Sequence, residues 1–200
     1  MPVLRAGLDG NPERFLGDLL SINRRCTSPL LRHHHRRRLI PIRITIDHRD
    51  GHASFATARV SGVMPGYSLV MTPPPVEDYL RLRAEAGLSP KTEQQSAAGL
   101  SGAWAACHVV HEQTRTVVGM GRLIGDGGWY FHVIDMAVLP EHQRQGLGDA
   151  ILTALLNRIK AAAPPGAYVN LLADPPGRRL YERHGFTETA PHSVAMALRL

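Results

Sequence analysis

The stretch Val133-Ile-Asp-Met-Ala-Val-Leu-Pro-Glu-His-Gln-Arg-Gln-Gly-Leu-Gly148 constrains this chain more than any other. Val133, Ile134, Met136, Ala137, Val138 and Leu139 make a short apolar run, the pattern of a strand covered on both faces. Pro140 stops the ladder because it has no N–H to offer. Gln143 to Gly148 then turns into a segment where Ile151, Leu152, Leu155, Leu156 and Ile159 recur at helical spacing. Glycines at a helix start let a ligand approach the backbone closely. The N–H groups exposed there, together with the helix dipole, favour an anion. A strand–turn–helix unit of this composition suits a diphosphate; the plainer alternative is an ordinary strand-to-helix connection.

Two other phosphate-binding patterns fail. A P-loop needs a lysine and a hydroxyl residue after its last glycine, whereas Leu147 and Gly148 follow Gly146. The dinucleotide fingerprint needs a different glycine spacing and an acidic residue about 20 positions on, and Gly119-Met-Gly-Arg-Leu-Ile-Gly125 has one residue too many for it. What remains is Gln-x-x-Gly-x-Gly after Val-x-Pro, which resembles the acetyl-CoA-binding motif of the GNAT superfamily of N-acetyltransferases. A second segment, Leu180-Tyr-Glu-Arg-His-Gly-Phe186, resembles that family's Leu-Tyr-x-x-x-Gly-Phe, and Ala173-Asp174 ahead of it is similar to small-amine acetyltransferases of the superfamily. The resemblance covers residues 67–200.

Charge divides the chain at about the same place. Residues 1–66 hold eleven arginines against five acids, which is the whole net charge of +6; residues 67–200 carry twelve basic and twelve acidic side chains. Residues 1–65 therefore read as a basic, disordered extension, and 66–200 as the GNAT domain, starting at the composition shift near Pro65-Gly66. The run Arg32-His-His-His-Arg-Arg-Arg38 has three readings: a solvated tail, a mitochondrial presequence weakened by Asp9, Glu13 and Asp18, or a nonspecific nucleic-acid contact. The solvated tail is preferred, so nucleic acid is not expected as a partner. Adjacent histidines cannot all face one ion, so no metal is expected. Leu39 to Ile46 has the apolar content of a strand. Cys26 and Cys107 make no disulfide framework, which favours a reducing compartment, the cytoplasm, over secretion. No run reaches transmembrane length, so no membrane partner is expected. A homodimer is an allowed assembly.

Along 67–200 the pattern gives a strand at Tyr67–Thr72 and a helix at Val76–Ala86, with Pro75 suited to its first position and Gly87 closing it. A second helix starts at Ser89 and runs to about Leu100. Strands follow at Trp104–His111, Thr116–Ile124 and Trp129–Leu139, then the long helix, a strand at Tyr168–Ala173, a short helix at Pro176–His184, and one or more strands from Phe186 onward. This is an α/β (α+β) order with a mixed sheet flanked by helices. It matches the GNAT acyltransferase fold, two N-terminal helices included.

The resemblance implies an enzyme that uses acetyl-CoA as co-substrate and acetylates a primary amine. Met136 and Ala137 would align the pantetheine, and Val138 would supply the oxyanion donor. Gln143, Arg144, Gln145, Gly146, Leu147, Gly148 and Asp149 would hold the pyrophosphate. A carboxylate at position 149 is a departure, repulsive to a diphosphate unless it is turned away. Tyr181 matches the family tyrosine that protonates the leaving thiolate. His132 is the preferred general base, since imidazole titrates near neutrality. Asp135 is a second candidate, His108 and His111 further ones, and each has a structural alternative as an ordinary packed or hydrogen-bonded residue. With no cysteine in either motif, direct transfer in a ternary complex is favoured over an acyl-enzyme. Trp129, Tyr130 and Phe131 cluster where the acceptor cleft should be, and no acidic run is available to grip a polycation. A small amine is the expected acceptor. The alternatives are a protein or peptide acetyltransferase of the same fold, or an acyl-CoA sensor without turnover.

Overall fold

The computed structural model describes residues 43–47 and 57–198. Their framework is a seven-stranded sheet in the order β1-β2-β3-β4-β5-β6-β7, formed by Arg43–Asp47 (β1), Thr57–Met64 (β2), Tyr67–Val70 (β3), Ala105–His111 (β4), Val117–Gly125 (β5), Tyr130–Val138 (β6) and Tyr168–Leu171 (β7). Neighbours are antiparallel through β6, and β7 alone runs parallel to its neighbour. A parallel pair needs a long crossover, and here it is the helix α3.

The sheet starts earlier than the charge and composition suggest. Pro65-Gly66 is a turn between β2 and β3, with Met64 opposite Tyr67 and Gly66 at φ 81°, so the expected domain start lies inside a hairpin. The apolar run at 39–46 contributes β1, shifted to Arg43–Asp47. The Arg32–Arg38 run lies outside the described residues.

Among the described residues, four helices flank the sheet: Val76–Glu85 (α1), Glu93–Ser101 (α2), Leu147–Ala162 (α3) and Arg178–Arg183 (α4). Helix α1 buries Tyr79, Leu82 and Arg83, neighbours at three- and four-residue spacing. Helix α2 begins after Thr92 rather than at Ser89. Pro90 disfavours helical geometry at Ser89, whose carbonyl is taken by Arg83 Nε and Nη2 at 2.9 and 2.7 Å. Thr92 and Gln95 instead form a reciprocal capping box, both bonds 3.1 Å long.

Helix α3 buries Leu147, Ile151, Leu152, Leu155 and Ile159 and packs across β4, β5 and β6. The glycines at 119 and 121, so spaced that they imitate a nucleotide fingerprint, lie under this helix. A Cβ on Gly121 would stand 2.5 Å from Ile151 Cγ2 and 2.7 Å from Met136 Sδ. They are a packing seam that lets α3 sit close against the sheet.

Past α4 the expected final strand is absent among the described residues. Val194, Met196 and Leu198 alternate as a strand would, yet they are 69%, 93% and 84% exposed. Alternation makes a strand only where an edge takes up its backbone groups.

Candidate functional site

Strand β6 departs from regularity just where the motif begins. Met120 pairs with Ala137, but the next pair is Arg122 with Ile134, so Gly121 faces two residues, Asp135 and Met136. This is a β-bulge, and Asp135 takes the left-handed conformation at φ 57°. The Asp135 carboxylate meets Arg83 Nη1 at 2.5 Å, Arg122 Nε at 2.8 Å and the Tyr79 hydroxyl at 2.7 Å, and is 6% exposed. Burial alone would push this carboxyl up. The Tyr79 hydrogen bond and the Arg122 and Arg83 guanidiniums outweigh it and hold the group below its ordinary value. A carboxylate so held is a weak base with its oxygens engaged. Asp135 is therefore a brace between α1, β5 and the bulge, not a proton acceptor for an amine.

Beyond the bulge the last two strands part. Strand β6 pairs with β7 only from Tyr130–Tyr168 to Val133–Leu171, where β7 ends, while β6 runs on to Val138. Leu139 N–H donates to Val118 O on β5 at 2.9 Å. Backbone groups alternate sides along a strand, so the peptide groups of Val138 face the gap. The Val138 carbonyl there accepts from Gln143 Nε2 at 3.0 Å.

The gap opens onto the loop. After a 3-10 turn at Pro140–His142, Arg144 (φ 62°) and Gly146 (φ 83°) both adopt left-handed backbone, and α3 starts with no side-chain cap. Successive N–H groups thus point outward at a positive helix end, a geometry that binds anions. The loop is held from beneath by Tyr67, whose hydroxyl lies 3.0 Å from Gln145 Oε1 and 2.9 Å from His142 Nδ1. Asp149 is turned away from the anion site: its carboxylate meets His184 Nε2 at 2.9 Å and Arg183 at 3.9 Å, beside the end of α4. The repulsion that an aspartate there threatens is so reduced.

Tyr181 lies on α4, packed edge-on against Phe186 with ring centroids 6.1 Å apart and set close over Gly177. Burial, and secondarily the Asp174 charge, push its phenol above the ordinary value, which keeps the proton on oxygen. His132 is the third of the four β6 residues paired with β7, opposite Asn170, and Nδ1 of its ring is hydrogen-bonded to Asn170 Oδ1. Around it are exposed rings: Trp129 at 61%, Tyr168 at 45% and Tyr130 at 41%, with Tyr130 between the other two. Phe131 points the other way and is fully buried against Trp104. The other two candidate bases are elsewhere, because β5 separates their strand from β6. His108 is buried and bonded to Thr72 O at 2.8 Å, and His111 packs with Tyr67 and His142 near the loop.

Residues 103–188 match the acetyltransferase (GNAT) domain family. A probable acetyltransferase of unknown function from meticillin-resistant Staphylococcus aureus is 36% identical, aligned over 67% of this chain and 99% of its own, with a TM-score of 0.64. The chain belongs to the GNAT family and is an acetyltransferase; acetyl-CoA is the family's co-substrate. Glucosamine-6-phosphate N-acetyltransferase from Arabidopsis thaliana shares the fold at 15% identity (TM-score 0.51, 66% of this chain and 97% of that one). So does the ribosomal-protein-S18-alanine N-acetyltransferase of Escherichia coli at 19% (TM-score 0.52, 62% and 79%). No curated protein matches the chain.

Proposed function

We propose that the chain moves the acetyl group of acetyl-CoA to the primary amine of a small molecule, by direct attack in a ternary complex. The diphosphate would lie on the outward N–H groups from Arg144 to Asp149, with the Arg144 guanidinium adding charge, and the pantetheine along the gap side of Met136, Ala137 and Val138. The observation that carries the acceptor reading is the exposed aromatic group of Trp129, Tyr130 and Tyr168 beside His132. Ring faces attract an ammonium, and ring edges pack an aryl or alkyl body.

Chemistry at such a site needs three acts. His132 removes a proton from the bound ammonium, which frees a lone pair. The amine nitrogen bonds to the thioester carbon while the Val138 N–H steadies the oxygen charge, and the carbon–sulfur bond then breaks. Tyr181 passes its phenolic proton to the thiolate and regains one from the amide nitrogen through solvent. The products are an amide, the free thiol and one proton released to bulk.

The test is thiol release from acetyl-CoA by the full chain with aryl-alkyl amines, polyamines, amino sugars and lysine peptides. Turnover confined to aryl-alkyl or other small amines, and lost in His132→Ala and Tyr181→Phe, is the expected result. Turnover confined to lysine peptides replaces the small acceptor with a protein. Acetyl-CoA binding without turnover on any amine makes the chain a sensor.

A further inference from the structure

We infer that Asn170 is a positioning residue that locks the His132 imidazole with its proton on Nδ1, leaving Nε2 as the basic nitrogen; this rests on His132 being the base.

Three side chains on one sheet face carry the inference. His132 and Asn170 are register partners across the parallel β6–β7 pair, and Tyr130 lies two residues before His132, on the same face of β6. Asn170 is gripped at both ends of its amide. Its Oδ1 is bonded to His132 Nδ1, and its Nδ2 donates to the Tyr130 hydroxyl at 2.6 Å. An amide oxygen only accepts, so the imidazole nitrogen facing it must carry the proton. A neutral imidazole has one proton, and Nε2 is then a lone pair. When that lone pair takes a proton from the substrate, the Nδ1–H bond is retained and the ring need not turn.

The arrangement has the logic of a base oriented by a third group, with an amide in place of a carboxylate. Had the amide been reversed, its nitrogen would donate to Nδ1 and force the proton onto Nε2, which disables the base. The orientation in the structure, with Nδ2 toward the Tyr130 hydroxyl at 2.6 Å and Oδ1 toward His132, is the one that leaves Nε2 free. Tyr130 therefore serves two ends, one face toward the acceptor and its oxygen toward the relay. The His132–Asn170 pair is one register step before Val133–Leu171, where the β6–β7 pairing ends, so the base is fixed near the mouth of the gap.

The tautomer can be read without turnover. In the full chain labelled with 15N-histidine, two-bond proton–nitrogen spectra at alkaline pH report which ring nitrogen of His132 is protonated, its signal assigned by loss in His132→Gln. The wild type should show the proton on Nδ1. Asn170→Asp, which keeps an acceptor, should retain it; Asn170→Leu should lose it and give a mixture of tautomers. In parallel, acetyl-CoA turnover with 2-phenylethylamine should fall ~10- to 100-fold in kcat for Asn170→Leu with the acetyl-CoA KM unchanged. Asn170→Asp should stay active, with the acid limb of its pH profile moved up by about one unit or more as a carboxylate stabilises the imidazolium. A wild-type ring protonated on Nε2, or an Asn170→Leu ring still locked on Nδ1, overturns the inference. His132→Ala at wild-type rate overturns the assignment of the base instead, and leaves the tautomer measurement to stand by itself.

Discussion

Replacing Asp135 by asparagine isolates the buried charge cluster from the backbone that carries it. Asparagine has the same shape and, like aspartate, tolerates the left-handed conformation seen at φ 57°. What changes is charge. The side chains of Asp135, Arg83 and Arg122 are 6%, 6% and 12% exposed, so two guanidiniums would stay buried without their counter-ion. The new amide would also turn an –NH2 toward two arginines that can only donate, or toward a Tyr79 hydroxyl that already accepts from Arg83 Nη1 at 3.1 Å. Breaking a buried pair this way costs about 3–5 kcal/mol, which urea unfolding at pH 7 would read as a lower midpoint at unchanged slope. The pH dependence carries a sign. The folded carboxyl titrates below its unfolded value, so its stabilisation is complete above the unfolded value of about 3.9. It is lost as pH falls through the folded value. The gap between wild type and variant should therefore be constant from pH 7 to about 5 and narrow below that. A cost under about 1 kcal/mol, or a gap that ignores acid, would mean that solvent screens the cluster and that Asp135 braces nothing.

Three further outcomes follow from the geometry. Tyr181→Phe should lower kcat about 10- to 100-fold without lowering the melting temperature; because burial raises the phenol, the alkaline fall in wild-type kcat should lie above pH 10. Gly121→Ala should cost ~1–3 kcal/mol and raise the acetyl-CoA KM, since a methyl 2.5 Å from Ile151 pushes α3, and the loop at its start, off the sheet; unchanged values in both assays would show that the helix yields freely. His184→Ala releases Asp149 toward the anion site, so acetyl-CoA affinity should drop several-fold at low salt and recover at high salt; a salt-independent change would assign His184 a packing role.

What could be read in advance was local. Val133 to Gly148 announces strand, stop, turn and helix through residues a few positions apart, and the structure has each of them. Asp135 could not be read that way. Nothing adjacent signals a bulge, and its partners stand 52 and 13 positions away at Arg83 and Arg122. Tyr67 reaches Gln145 over 78 positions, and Asn170 reaches His132 over 38, so neither announces itself as part of the site. The glycines of β5 did leave a signal: every second residue lacking a side chain in a strand marks close backbone approach. The C-terminal alternation misled, because a period of two describes what a segment could pair with and not whether it does.

The parting of β6 from β7 leaves a stretch of main chain as the working surface, and that shapes how the gene can vary. Side chains at 136 to 138 project above and below the sheet, so exchanges among apolar residues of like size should pass almost unnoticed. Proline should not pass at 138, where it deletes an N–H turned into the gap. A saturation library across these codons would then show wide tolerance among apolar side chains, with proline rejected.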